Sequence, residues 1–214
     1  MYQLHPSLRL QKLFKDQPYQ GCCPIDAKYL FIGLDANYSA DIEKQDVFPF
    51  LLQYHQNGVE FWRKYNMHHP FLHKNYKGDG KKYHQSFAKI GLTCELANEI
   101  SFIELLHVPT VGRNMLTIDD LNEQHLDYIN CAIFSNKKKA VFISNSVFML
   151  MRKSKKFNWL SDPKSIHSHH LQVFYDENTV VYKHFHFSNY GKFQARKEIE
   201  AKEIYNIIQS TSSL

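Results

Sequence analysis

Four apolar runs in this chain have the length and composition of buried β-strands, and each of them ends in a group of polar side chains. They span residues 29–34, 100–106, 140–143 and 179–185. The first run shows no alternation of polar and apolar positions, which is typical of a strand that is covered on both faces. The carboxyl ends of parallel strands meet at one edge of a sheet, where open α/β folds bind ligands. The pattern therefore predicts a candidate site at that edge.

Segments with helical spacing alternate with these strands, at about residues 8–15, 47–65, 118–133, 146–152 and 193–209. Thr117 and Asp120 have the spacing of a capping box before the third segment. The tripeptide 176–178 predicts a hairpin turn between strands 171–175 and 179–185. This alternation predicts a single α/β domain over residues 1–214, a three-layer α/β/α sandwich around a central, mainly parallel four-stranded sheet.

The composition narrows the class of protein. No apolar run approaches the roughly 20 residues that a membrane helix needs, and the first residues lack the basic and apolar regions of a signal peptide. Cys22, Cys23, Cys94 and Cys131 have no C-x-x-C spacing, so we expect free buried thiols rather than metal ligands. Free thiols suit a reducing compartment. We therefore expect a cytoplasmic monomer with no metal, no cofactor and no membrane partner.

The charge balance is compatible with a polyanionic partner, although many proteins are as basic. The chain carries an excess of five positive charges and thirteen histidines. Lys137, Lys138 and Lys139 precede a strand, and we expect all three to be solvated. Residues 66–84, rich in His, Lys, Tyr and Gly, predict a long surface loop that either covers DNA or shapes a pocket.

Three motifs resemble those of the uracil-DNA glycosylase superfamily. The string 31–38, Phe-Ile-Gly-Leu-Asp-Ala-Asn-Tyr, resembles the first motif, in which a strand ends in Gly-x-Asp-Pro or Gly-x-Asn-Pro. The tripeptide 186–188, His-Phe-Ser, is similar to the second motif, His-Pro-Ser or Asn-Pro-Ser. Between them, residues 103–110 resemble the strand and Pro-Thr turn of the mismatch-specific branch. The motifs follow the family's order, and the resemblance spans residues 28–208.

The resemblance implies a chemistry for two residues. Breaking an N-glycosidic bond builds positive charge on the sugar and negative charge on the departing base. Asp35 would orient the attacking water and support the charged sugar. His186 would donate a hydrogen bond to the leaving base, as a neutral imidazole.

The resemblance also implies residues that bind the base and the DNA. The target base must leave the helix, so the pocket needs an aromatic floor, which Phe48 and Tyr38 would supply. Asn37 or Glu104 would read the edge of the base. DNA contacts, including a wedge side chain at the tyrosine, would come from Thr110, Arg113, Ser188, Asn189, Tyr190 and Lys192.

Each of the main candidates also has a structural explanation. Asp at a strand end commonly caps the next helix, which would account for Asp35. His186 lies at the end of a strand and is compatible with a core position. Phe48 shares a predicted helix face with Leu51 and is compatible with core packing. The cluster at 167–170, with three histidines, has no carboxylate pair nearby, so we expect surface histidines rather than zinc ligands.

Departures from the motifs support a second hypothesis. Ala36 and Phe187 stand where the family has prolines, and Glu104 stands where the classical enzymes carry an asparagine. A non-catalytic member that binds nucleic acid or a nucleobase would tolerate these changes. A third reading is an α/β protein that binds a small ligand at the same edge. The sequence has no Gly-x-Gly-x-x-Gly or P-loop that would make it a nucleotide-phosphate enzyme.

Overall fold

The computed structural model describes residues 2–112, 115–135, 137–160, 171–188 and 191–212. Arg113, Asn189 and Tyr190, which the sequence assigns to DNA contacts, lie outside the described residues, and so does the histidine cluster at 167–170. Among the residues described, no helix has both the length and the apolar character required to cross a membrane.

The strands of the described chain form one mixed sheet in the order β1-β3-β2-β4-β6-β5. β3, β2, β4 and β6 are parallel neighbours, whereas β1 and β5 pair antiparallel at the two edges. The strands are β1 Tyr19–Gly21, β2 Tyr29–Gly33, β3 Ile100–Glu104, β4 Lys139–Ser144, β5 Leu171–Tyr175 and β6 Thr179–His184.

The predicted α/β class is confirmed, but the prediction of a four-stranded sheet was wrong, since the sheet has six strands. The four apolar runs are its parallel centre. The two additional strands are short edges: residues 19–21, predicted as loop, pair with β3, and the first strand of the predicted hairpin pairs with β6. Edge strands need little apolar sequence because a single neighbour satisfies their backbone.

The helices of the described chain are α1 Leu8–Asp16, α2 Phe48–Gln56, α3 Gly58–Tyr65, α4 Lys81–Ala88, α5 Glu123–Ile133, α6 Asn145–Lys153 and α7 Gln194–Ser212. The segment 47–65 is two helices rather than one, because Asn57 ends α2 and its side chain accepts the Glu60 N–H at 3.0 Å to cap α3. The predicted capping box of Thr117 and Asp120 is present, but it caps a short 3₁₀ turn that precedes α5.

Helices cover both faces of the sheet. Alternate residues of β2 point to opposite sides: Leu30 and Ile32 join a core with α5 and α6, whereas Tyr29 and Phe31 join a core with α3, α4 and α7. A third apolar cluster lies beyond the carboxyl end of β2, between α1, α2 and the segment that follows α3. This third cluster supports the region in which the polar strand ends meet.

The prediction of a surface loop over residues 66–84 is correct only in part: Lys74, Asn75 and Lys77 are exposed, but the aromatic side chains of the segment are not. His68, His69, Phe71 and Tyr76 are all buried. Phe71 and Tyr76 stack with ring centroids 4.2 Å apart, and His69 packs edge-on against Phe71. The segment contains a 3₁₀ turn, Pro70–Leu72, and runs into the first turn of α4. Ring packing, rather than aliphatic periodicity, buries this part of the chain.

The lysine and cysteine predictions are corrected in part. Lys139 is buried rather than solvated, and its Nζ donates to the carbonyl oxygens of Pro24 at 2.7 Å and Ala132 at 2.6 Å, with a longer contact to Ile25 at 3.3 Å. Lys137 and Lys138 are exposed, as expected. The four cysteines are free, but they are half-buried or, at Cys131, exposed.

Candidate functional site

A cavity of about 340 Å³ opens at the carboxyl ends of β2 and β3. This volume is within the range of small-molecule sites, roughly 300–1,000 Å³. Polar and aromatic side chains line it, and its described lining contains no lysine or arginine. The lining residues are Gln20, Phe31, Gly33, Leu34, Asp35, Ala36, Asn37, Tyr38, His69, Phe71, Gly80, Tyr83, His84, Phe102, Glu104, His186 and Ser188.

Backbone hydrogen bonds fix the turn that carries Asp35. Beyond the end of β2, the Ala36 carbonyl accepts the Thr110 N–H at 2.9 Å, and the Tyr38 N–H donates to the Thr110 carbonyl at 3.0 Å. The buried Thr110 hydroxyl donates to Asp35 Oδ2 at 2.5 Å. Thr110 therefore holds the carboxylate of Asp35 in place. The bond also gives the turn a defined geometry without a proline at position 36.

Asn37 is engaged by the same turn. Its side-chain nitrogen donates to Thr110 Oγ1 at 3.1 Å and to the carbonyl oxygen of Gly112 at 2.5 Å. Both hydrogen bonds occupy the amide donors of Asn37. The amide nitrogen of Asn37 is therefore committed to the loop, although the residue lines the cavity.

Glu104 projects into the cavity from the last position of β3. Gly33 is its partner in the register of β2 and β3, and a Cβ at Gly33 would collide with the Glu104 carboxyl group. Burial, with a contribution from the charge of Asp35, raises the pKa of Glu104 to about 8. No hydrogen bond from the described residues reaches this carboxyl group. The glycine of the first motif thus leaves room for an unpaired carboxyl group in the cavity floor.

We expect Gly33→Ala to lower the free energy of unfolding by about 1 kcal/mol, because the added methyl group displaces the Glu104 carboxyl. The cost is at the low end for an overpacked site since a carboxyl group can rotate away. Urea denaturation would measure the change. In a Glu104→Ala background the collision is gone, so the same Gly33→Ala substitution should cost much less; equal costs in both backgrounds would contradict the contact.

His186 is held in one tautomer. Its Nδ1 accepts the backbone N–H of Ser188 at 3.2 Å. Burial and the nearby Lys197 lower the pKa of His186, against an opposing effect of Asp35, so that the ring is neutral. A neutral imidazole whose Nδ1 accepts carries its proton on Nε2. His186 therefore presents an Nε2–H donor at the cavity.

One wall of the cavity comes from residues 66–84, the segment that was predicted either to cover DNA or to shape a pocket. His69 and His84 stack with ring centroids 3.6 Å apart and an angle of 3° between the planes, and Tyr83 lies beside the His186 ring at 5.4 Å. Burial lowers the pKa of His69 and His84 and raises that of Tyr83, so all three are neutral. The sequence signal for this wall is Gly80, which precedes a helix that has Tyr83 and His84 in its first turn.

The other predicted residues lie in three environments. Tyr38 is buried in the third apolar cluster, and its hydroxyl accepts a hydrogen bond from Gln20 at 3.0 Å at the cavity wall. Phe48 belongs to the same cluster, with the Arg9 guanidinium 4.9 Å from its ring centre, and does not line the cavity. Ser188 is at the cavity mouth, whereas Lys192 is exposed, with its Nζ 5.3 Å from the ring of Phe193.

A cationic groove lies next to the cavity, and Ser188 lines both. Lys82 and Lys89 are exposed along it. Lys197 is half-buried there, and its Nζ donates to the Phe187 carbonyl at 2.9 Å and to Ser86 Oγ at 3.2 Å. The groove therefore concentrates positive charge at the mouth of a cavity whose lining lacks it.

The fold and the site together define an α/β protein with an open cavity, lined by aromatic and polar side chains, at the carboxyl edge of its parallel strands. Within the described chain, no group of three or more His, Cys, Asp or Glu side chains could hold a metal ion. Comparison of the chain with protein-family models, with curated proteins and with solved structures finds no match.

Proposed function

We propose that this protein is a DNA glycosylase that hydrolyses the N-glycosidic bond of a flipped-out damaged or mismatched base. The observation that carries the proposal is that one cavity is lined both by a carboxylate held by Thr110, that of Asp35, and by the Nε2–H of a neutral His186. These are the two groups that the reaction needs on opposite sides of the bond. The resemblance of residues 31–38 and 186–188 to the glycosylase motifs agrees with this pairing.

The proposed reaction breaks the bond between the anomeric carbon and the base nitrogen. The electron pair leaves with the base, whose developing negative charge is stabilised by the hydrogen bond from His186 Nε2–H. The carboxylate of Asp35 stabilises the positive sugar and orients a water molecule. The water oxygen forms the new bond to the anomeric carbon, and its proton passes to Asp35. The products are an abasic site and the base, which departs as its anion and takes a proton from solvent, while Asp35 returns its proton to solvent.

The aromatic wall supports an extruded base as the ligand. This wall consists of neutral rings against which a planar base could pack. They are the side chains of His69, His84, Phe71 and Tyr83. A base that has left the duplex needs both such a surface and hydrogen bonds to its edge. In this proposal Phe48 contributes by supporting Tyr38 within the third cluster, and direct stacking comes from the wall that includes Tyr83.

The cationic groove supports DNA as the partner. Replacing both Lys82 and Lys89 with Gln should weaken binding to any DNA sequence, and the slope of log affinity against log salt should fall by about 2, since about 0.9 is lost per phosphate contact. Fluorescence anisotropy at several salt concentrations would measure both. The Lys137→Gln, Lys138→Gln protein, altered near the amino end of β4, is the matched control. An unchanged salt slope in the Lys82→Gln, Lys89→Gln protein would show that DNA does not bind along this groove.

Single-turnover base release tests the function. Labelled oligonucleotides carrying uracil opposite G or A, thymine opposite G, hypoxanthine or alkylated bases would be incubated with excess protein, and alkali-labile abasic sites would be counted. We expect release from at least one of these substrates. DNA binding without release from any of them would contradict the proposal.

A second candidate is a non-catalytic protein that binds nucleic acid or a nucleobase in the same cavity. The observation that favours it is the Glu104 carboxyl group, which as an anion would repel a departing base anion. Under this alternative, binding of oligonucleotides depends on the cavity residues, whereas no abasic sites form at any pH.

A further inference from the structure

We propose that Glu104 reads the extruded base as a neutral carboxylic acid, so that the site takes bases whose edge presents a ring N–H beside a carbonyl oxygen. Uracil and hypoxanthine have such an edge. The inference rests on the proposed function. It adds to that function the side chain that selects the base, Glu104, and the protonation state in which this side chain acts.

The position of Glu104 makes it the polar group of the cavity floor. It lies at the end of β3, beside Gly33 of the neighbouring strand, where any other residue would occupy the space of the carboxyl. The described residues give that carboxyl no hydrogen-bond donor. The amide of Asn37, by contrast, is bound to Thr110 and Gly112. A ligand in the cavity would therefore find the carboxyl of Glu104 available, whereas the N–H donors of Asn37 are already committed.

The surroundings of Glu104 favour its neutral form. Asp35, at the end of β2, is the nearby negative charge, and the cavity supplies no lysine or arginine from its described lining. The groups that face the cavity from the packed elements are otherwise neutral: Tyr38 after β2, Tyr83 and His84 of α4, His69, and His186 after β6; Tyr54 of α2, which does not line the cavity but lies close enough to interact electrostatically with Glu104, is neutral as well. Burial and Asp35 accordingly raise the pKa of Glu104 to about 8.

The protonation state decides which base edges fit. A neutral carboxylic acid offers one O–H donor and one carbonyl acceptor, which pair with a base carbonyl and its adjacent ring N–H. An ionised carboxylate only accepts, so it repels that carbonyl and any negative charge on the leaving base. It would instead suit the guanine edge, which presents two adjacent N–H donors. The two states therefore select different bases.

The decisive variant is Glu104→Gln, because its amide keeps one donor and one acceptor at every pH. Release of uracil by the wild-type protein should fall about 10-fold between pH 6.5 and pH 9.0, as expected for a group whose pKa is about 8. The activity of Glu104→Gln should change much less with pH across that range, while Glu104→Ala should be poor throughout. Identical pH profiles for wild type and Glu104→Gln would overturn the inference, and so would preferential release of guanine-edged bases.

Binding separates this inference from the proposed function. An oligonucleotide whose uridine carries a fluorinated, hydrolysis-resistant sugar would be titrated with the wild type and with Glu104→Gln at pH 6.5 and 9.0. We expect wild-type affinity for this probe, relative to the same oligonucleotide with thymine paired to adenine, to fall with pH and that of Glu104→Gln to remain constant. If this binding result is found but no base is released, the proposed glycosylase activity is refuted and the role of Glu104 in reading the base is retained. If base is released but the two proteins do not differ in their pH dependence, only the role of Glu104 is refuted.

A stability measurement gives a third readout that needs neither DNA nor turnover. A carboxyl whose pKa is raised on folding stabilises the protein below its ordinary pKa of 4.5, and this stabilisation is lost as the pH rises toward 8. Wild-type stability relative to Glu104→Gln should therefore fall steadily between those values. A constant difference over that range would show that the carboxyl is ionised in the folded protein and would contradict the inference.

Discussion

Asp35→Asn should reduce single-turnover release of the nucleobase by about 10³-fold or more. It removes the negative charge that stabilises the sugar and the carboxylate that accepts the proton of the attacking water. The asparagine has nearly the same shape, and its side-chain oxygen can still accept the 2.5 Å hydrogen bond from Thr110. The turn after β2 should therefore keep its structure. Counting alkali-labile sites under single-turnover conditions, on the substrate that the wild type cleaves best, measures the loss.

The control for this substitution is Asp119→Asn, at an exposed aspartate in the 3₁₀ turn before α5. This variant should release base at the wild-type rate. Affinity for the DNA substrate should be nearly unchanged in Asp35→Asn, which would separate a chemical defect from a binding defect. Release by Asp35→Asn at the wild-type rate would remove Asp35 from the mechanism and leave the cavity without its catalytic carboxylate.

Lys139→Ala should lower the free energy of unfolding by about 3 kcal/mol, because the buried ammonium group is the partner of several backbone carbonyls. Its Nζ donates to Pro24 and Ala132, with a longer contact to Ile25, and so ties the loop after β1 to the last turn of α5. Alanine would leave these oxygens without the donor and would open a space in the packed region. Urea denaturation at neutral pH, where most of the lysine is protonated, measures the effect.

Lys137→Ala is the matched control, two positions earlier in the chain. Lys137 forms an exposed ion pair with Asp26 at 2.8 Å, and such pairs contribute at most about 1 kcal/mol. The two substitutions therefore compare a buried and an exposed lysine of the same segment. Similar losses in both variants would mean that the carbonyl contacts of Lys139 do not stabilise the fold.

The parallel centre of the sheet could be predicted from the sequence because each of its strands is a continuous apolar run. A strand buried on both faces needs apolar residues at every position, as β2 has from Tyr29 to Ile32, and this pattern is local. The edge rule for parallel strands then placed Asp35, Glu104 and His186 together, and all three line one cavity. The short edge strand β1 has no such pattern because it pairs with a distant part of the chain.

The sequence predicted that residues 66–84 would either cover DNA or shape a pocket, but it could not decide between the two or identify the side chains that are buried. Histidine and lysine in 66–84 suggested solvent exposure, yet His68 and His69 are buried as neutral rings. The His69 Nδ1 accepts the Phe71 N–H at 3.1 Å, so the ring satisfies a backbone donor while it packs. Lys139 is a comparable case, since its burial depends on carbonyls from two distant segments. Neither the buried histidines nor the buried lysine produces a periodic pattern in the sequence.

Different parts of the chain supply the reactive groups of the cavity and its aromatic wall. The reactive groups stand at or just beyond strand ends that the whole sheet holds in register, whereas much of the aromatic wall comes from one continuous stretch of chain, residues 66–84. That stretch contacts the sheet through rings such as that of His68, whose centroid lies 6.2 Å from that of Phe102 in β3. Substitutions in the wall can therefore reshape the chamber without moving Asp35 or Glu104. The groups that react and the surface that fits the ligand can thus be altered independently by mutation.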